Sequence, residues 1–311
     1  MTLRIAILRL KQLIAVALCV TSMGSMLGQA SEPKSPPAIE ELKPVPNFFK
    51  LPVGSTLGAC SAVAISTQDE IIVFHRGKRP LMVFDSGGNL LRSWGDDLIG
   101  SAHGLRLDKD GHIWTTDVGS HRVMKFNSHG KLLLSLGTGK AGAGDHEFNK
   151  PTDLAFGSHG EFFVTDGYGN TRVLKFAPSG KLLHQWGTPG KRDGEFNLPH
   201  SIVMDRQGRL LVGDRENERI QIFDQSGHWL ATWPGFAPYG LAFDQSGQLY
   251  VADARANQVI RLTADGDVEK RWGRKGSEPG EFDLPHMLAF DKLGNLFVAE
   301  VNGRRVQKFQ P

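Results

Sequence analysis

The stretch HGLRLDKDGHIWTTDVGSHRVMKFNSHGKLLLSLG, residues 103–137, holds four short apolar runs separated by the turn formers KDG, VGS and NSHG. Runs of about five residues with alternating apolar positions suit half-buried strands, and Gly, Ser and Asn between them suit tight turns. The pattern recurs as TDLAFGSHGEFFVTDGYGNTRVLKFAPSGKLLHQWG at 152–187 and HSIVMDRQGRLLVGDRENERIQIFDQSGHWLATW at 200–233. Outward from these, six units lead with Ser61, His103, Thr152, His200, Tyr239 and His286, spaced by 42, 49, 48, 39 and 47 residues. One antiparallel sheet of four strands cannot bury both faces alone. Packing six of them radially solves that problem, and an all-β six-bladed propeller over residues 47–311 is expected.

The sixth unit stops at RVQKFQP, one strand short. The stretch NFFKLPVG, residues 47–54, has the length and character to close the ring and remove the exposed edge. Residues 31–46, rich in Pro, Lys and Glu, read as an extended or disordered leader. Residues 1–30 read as a signal peptide: Arg4, Arg9 and Lys11 precede an apolar run, and Gly28-Gln29-Ala30 resembles a cleavage site. A secreted or periplasmic protein with no membrane span after cleavage follows; a retained anchor is the competing reading.

The full chain has 36 basic and 33 acidic residues, and the first thirty contain three basic residues and no acidic ones. The remainder is balanced, which argues against a nucleic-acid partner. Of the two cysteines, Cys19 and Cys60, cleavage leaves Cys60, which precedes an apolar strand and reads as a buried small residue.

His103, His200 and His286 lead alternate units, so in a closed ring they approach the axis from three sides. Three imidazoles with an open fourth position are the ligand set of a catalytic Zn2+. Arg76, Tyr168 and Arg215 fall in the loops between second and third strands of units one, three and four, beside the same mouth. Arg172, Arg219 and Arg305 precede third strands and read as structural. Asp117, Asp166, Asp214 and Asp253 end second strands and read as acceptors for turn amides.

The segments GDHEFNKP (144–151), GEFNLPH (194–200) and GEFDLPH (280–286) carry the signature of NHL repeats. Together with VFHRG, VTDGYGNTRVLKF, GDRENERIQIF and LPHMLAF, they resemble the peptidyl-α-hydroxyglycine α-amidating lyase family. That resemblance implies a zinc held by His103, His200 and His286, with Tyr168 as catalytic base. It further implies Arg76 beside that tyrosine, stabilising its phenolate, and Arg215 engaging the substrate carboxylate or hydroxyl. The family's calcium site is in doubt, because Met287 stands where its Asp is found; the carbonyl positions Val63 and Leu105 remain. Gly169 replaces a family cysteine, so that disulfide is lost. A monomeric lyase is expected, acting on a small-molecule or peptide α-hydroxyglycine-type amide. The alternative is a non-catalytic NHL propeller that binds a peptide or protein at its axial mouth.

Overall fold

The structure, a computed structural model, describes residue 41 and residues 43–311. The signal read at 1–30 and most of the leader lie outside the described residues. Six four-stranded sheets form the blades of a ring. The innermost strands are Cys60–Ile65, Ala102–Leu107, Asp153–Phe156, Pro199–Met204, Pro238–Phe243 and Pro285–Phe290. Each is followed by three antiparallel neighbours running outward. The only helical element among the described residues is one 3-10 turn, Arg215–Asn217.

Strand alternation builds the core. In Ile71–His75 of blade one, Ile71 and Val73 face the seam with blade six, while Ile72 and Phe74 face the seam with blade two. Side chains on a strand point alternately to its two faces, so one strand feeds two seams. Each of the six seams holds its own apolar cluster. The phenylalanines of the NHL segments, Phe148, Phe196 and Phe282, are fully buried in three of them.

The loops that carry those phenylalanines are tied by a repeated arginine–acid pair. The Arg172 Nε donates to Asp166, Arg219 to Asp214 and Arg305 to Glu300. The same guanidiniums donate to the loop carbonyls of Glu147, Glu195 and Glu281. The second-strand acids accept turn amides as expected: Asp117 from Gly100 and Ser101, Asp166 from Asn149, Asp214 from Asn197 and Asp253 from Ala237. Blade one departs from this pattern, with the buried His75 in the acid's position, its Nδ1 accepting from Gly58 N–H at 3.0 Å.

Ring closure differs from the expectation for residues 47–54. The outer strand of blade six is Lys43–Pro44, paired with Gln310 and Phe309, and Val45 N–H donates to the Lys308 carbonyl at 2.8 Å. Proline suits that place, because an outermost strand leaves one row of N–H positions unused. The 47–54 stretch instead wedges its aromatic pair into the seam between blades six and one. Phe48 meets Phe297 at 6.0 Å and Phe49 meets Phe84 at 4.9 Å, and Lys308 lies 4.3 Å over the Phe48 ring.

Candidate metal centre

His103, His200 and His286 converge as the repeat phase predicts. Their ring centroids stand 4.7, 4.8 and 4.9 Å apart, a near-equilateral triangle, and all three are buried. One ligand atom from each lies within 4.8 Å of the others. Leu198 and Leu284, which precede two of the Pro-His pairs, hold left-handed backbone at φ 74° and 62°. A leucine is strained there, and the strain coincides with the turns that deliver His200 and His286 to the axis.

The other three blades orient these rings. His103 Nδ1–H donates to the Thr152 carbonyl, His200 to Tyr239 and His286 to Ser61, each at 2.6 Å. Each acceptor is the lead residue of the next blade round the ring. With Nδ1 protonated in every ring, each Nε2 keeps its lone pair and turns it to the axis. All three imidazoles are held neutral. Burial, joined by the repulsion of Arg76, pushes His286 down to about 3, and His103 and His200 fall well below the ordinary histidine value for the same first reason.

Gly104, which follows His103, shows how closely the blades approach. A Cβ there would stand 2.6 Å from the Thr152 carbonyl oxygen and 2.7 Å from Thr116 Oγ1. That carbonyl also accepts the Thr116 hydroxyl at 2.8 Å.

Tyr168 and Arg215 join the triad. The Tyr168 hydroxyl lies 3.2 Å from both His103 Nε2 and His200 Nε2, and Arg215 Nη1 donates to it at 3.4 Å. His286 Nε2 has no hydrogen-bond partner among the described residues. Arg76 donates from Nε to the Ala102 carbonyl at 3.0 Å, directly beside His103. The guanidinium on the Tyr168 hydroxyl is therefore that of Arg215, where the resemblance implied Arg76.

Three residues at this mouth were missed in the sequence. Tyr239 lies 5.1 Å from His200 and 6.1 Å from His286 by ring centroid, with the Arg215 guanidinium 4.6 Å over its face. Glu216 takes the Nε and Nη2 edge of Arg215 at 2.8 Å and pairs its other oxygen with Arg255. Tyr239 was visible as the one aromatic in the column of lead residues, and Arg255 shares with Tyr168 the offset of two past a strand-end Asp. Nothing marked Glu216.

Beyond the triad the channel widens into an axial cavity of about 350 Å³ lined by Val63, Leu105, Leu154, Ile202 and Leu288. Arg106 enters it from blade two. It pairs with the buried Asp153 of blade three at 2.6 Å and donates to the Leu241 carbonyl of blade five at 3.2 Å. Met287 is buried in the apolar cluster with Ala62 and Leu105. Arg106 thus brings a guanidinium of the chain's own into this cavity, on the Leu241 carbonyl.

A family model for the NHL repeat matches residues 100–126, 148–176 and 196–223. A probable peptidyl-α-hydroxyglycine α-amidating lyase of Caenorhabditis elegans is 31% identical over 68% of this chain and 69% of its own length. The chain belongs to the peptidyl-α-hydroxyglycine α-amidating lyase family. Within this amidating-lyase family it is also 31% identical to Peptidyl-glycine alpha-amidating monooxygenase B of Xenopus laevis, over 83% of this chain. It spans about a third of that relative's length, 34%. Human NHL repeat-containing protein 3 is likewise 31% identical, over 82% of this chain and 80% of its own.

Proposed function

We propose that the protein is an exported, zinc-dependent lyase that cleaves the C–N bond of an α-hydroxyglycine-type amide, releasing an amide and glyoxylate. The observation that carries this reading is the convergence of three Nε2 lone pairs beneath the Tyr168–Arg215 pair. Three neutral imidazoles with fixed tautomers suit zinc, and the partnerless Nε2 of His286 is a buried acceptor that such an ion would satisfy. Zinc at that point would polarise the substrate oxygen.

The chain's own residues supply the rest. Tyr168, acting as a phenolate, stands where its oxygen can take the proton of the substrate hydroxyl and return it to the amide nitrogen, and Arg215 faces that phenolate's negative charge. As the hydroxyl becomes a carbonyl, the C–N bond breaks and the amide nitrogen gains a proton. One proton is redistributed, and neither water nor a redox partner is consumed. The two Nε2 atoms within reach of the Tyr168 hydroxyl, which can donate its one proton to only one of them at a time, are also the ones a metal would use. With those nitrogens occupied, the Tyr168 hydroxyl would be free to face the substrate.

The basic n-region and apolar run at residues 1–30 support export. The similarity to NHL repeat-containing protein 3, a name that states no activity, favours the second reading: a propeller that binds a peptide or protein without catalysis. Glyoxylate release from α-hydroxyhippurate by the zinc-loaded chain separates the two. Release lost in both Tyr168→Phe and His200→Ala supports the lyase; no release from zinc-loaded protein rejects it.

A further inference from the structure

The inner strand of each blade has a sheet neighbour on its outer side only, so alternate residues turn their backbone N–H and C=O groups into the channel. In an apolar cavity such groups are costly unless something meets them. Beneath the triad, two of them are met by a single ion pair. Arg106 donates from Nε and Nη2 to the two carboxylate oxygens of Asp153, at 3.0 and 2.6 Å. The same Nη2 donates to the Leu241 carbonyl at 3.2 Å, and Asp153 Oδ2 accepts the Ile202 N–H at 3.1 Å. One guanidinium and one carboxylate thus tie blades two, three, four and five across the axis.

The tied positions stand close in sequence to the groups that arrange the histidines. Arg106 lies three residues past His103, and Ile202 two past His200. Asp153 follows Thr152, whose carbonyl fixes the His103 ring, and Leu241 lies two past Tyr239, whose carbonyl fixes His200. A shift of any of these strands moves an imidazole or its acceptor.

The donor set does not suit the calcium ion of the family. Calcium takes about six to eight oxygens, carboxylates among them. The axial cavity, bordered by Val63 and Leu105, has no carboxylate in its lining. The carboxylate of Asp153 is fully buried and both its oxygens are occupied. Met287 adds only an apolar side chain, and a guanidinium already stands on the Leu241 carbonyl.

We propose that the Arg106–Asp153 pair braces the channel in place of a metal ion, so that the ring keeps its axis, and His103 and His200 their places, without calcium. Its effect on zinc rests on the metal reading of the triad; its effect on the ring does not.

Thermal melts and zinc titrations of the full chain test this, with calcium present or absent. Wild type should melt at the same temperature with and without millimolar calcium. Arg106→Gln should melt about 5–15 °C lower and hold zinc about 10- to 100-fold more weakly. It should also recover part of its melting temperature in calcium, because the freed Asp153 carboxylate then faces the axial carbonyls. Arg106→Gln combined with Asp153→Asn should show no such recovery. Arg106→Lys, which keeps the charge, should hold zinc more tightly than Arg106→Gln. Calcium that stabilises wild type would overturn the proposal, and this arm needs no variant to fold. So would an Arg106→Gln chain that keeps wild-type zinc affinity, or one that ignores calcium. A wild type that binds no zinc, while both chains follow the calcium pattern, would uphold the brace and reject the zinc reading. Zinc binding with glyoxylate release in a wild type that calcium stabilises would do the reverse.

Discussion

His103 Nδ1 and the Thr152 carbonyl oxygen are 2.6 Å apart, and this contact joins blade two to blade three at the axis. It sets the tautomer of a ring whose other nitrogen is thereby left to face the axis, where the proposed ion would sit. The same carbonyl faces Gly104 across a gap too small for a Cβ. Gly104→Ala is expected to push Thr152 away, costing about 1–3 kcal/mol in stability and weakening zinc binding about 10- to 100-fold. Thr116→Val removes the second donor to that carbonyl and the acceptor of the Gly104 N–H at 2.7 Å, but leaves the His103–Thr152 contact in place, so it should cost about 1–3 kcal/mol and leave zinc affinity near wild type. Denaturant melts alongside zinc titrations check both, and equal zinc affinity in the two variants would refute the tautomer argument.

Zinc should stabilise the folded chain through all three histidines. At a free concentration about 100 times Kd, the gain is about 2.7 kcal/mol. Thermal melts with and without zinc should show this rise in wild type and in Tyr168→Phe, and lose it in His200→Ala. Tyr168→Phe should meanwhile lower kcat by about 10²- to 10⁴-fold. A variant that loses zinc together with the hydroxyl would contradict the separation of ligand from base.

Acid should act on the metal-free protein through the same rings. Their folded values lie below the ordinary 6.5, with His286 at about 3. The unfolded chain therefore takes up protons first, so the contribution to stability is intact above pH 6.5 and is lost as pH falls below it. The slope is about 1.4 kcal/mol per pH unit for each histidine that remains neutral when folded. Replacing His286 by Gln should flatten the decline between pH 6 and 4 by one such increment. An unchanged slope would show that the ring is already protonated in the folded state.

The closing strand can be tested by shortening. A chain beginning at Pro46 loses the pairing of Lys43 and Pro44 with Gln310 and Phe309 and leaves the Arg305–Gln310 edge bare. The expected loss is about 1–3 kcal/mol, with concentration-dependent association through the open edge. Light scattering and thermal melts report both, and a shortened chain as stable and monodisperse as wild type would place the closure elsewhere.

The repeat phase made most of this legible, because one column of six lead residues is enough to name what faces the axis. His103, His200 and His286 came from that column, and Tyr239 stood in it unread. The closing strand was hidden because Lys43–Pro44 is too short and too polar to show a period of two. The apolar NFFKLPVG looked like a strand because a wedge between blades needs the same residues. The partner of Tyr168 was hidden for a different reason. Arg76 and Arg215 sit at similar offsets in their loops, and only Glu216, through side-chain contacts, settles how Arg215 is aimed. Arg106 lies two positions past Gly104 in an ordinary inner strand, and no pattern signals that it spans the channel to Leu241.

Lys43 and Gln310 are neighbours in space and nearly the whole chain apart in sequence. Blades one to five can each complete four strands from contiguous chain, but the sixth waits for a segment synthesised long before its partner. The slowest contacts to form are those of highest sequence separation. His286 belongs to that last blade, so an ion that requires all three imidazoles can be held only after the ring has shut. If the proposed zinc is bound, its capture during refolding should report the closing step, readable by stopped-flow with a metal indicator.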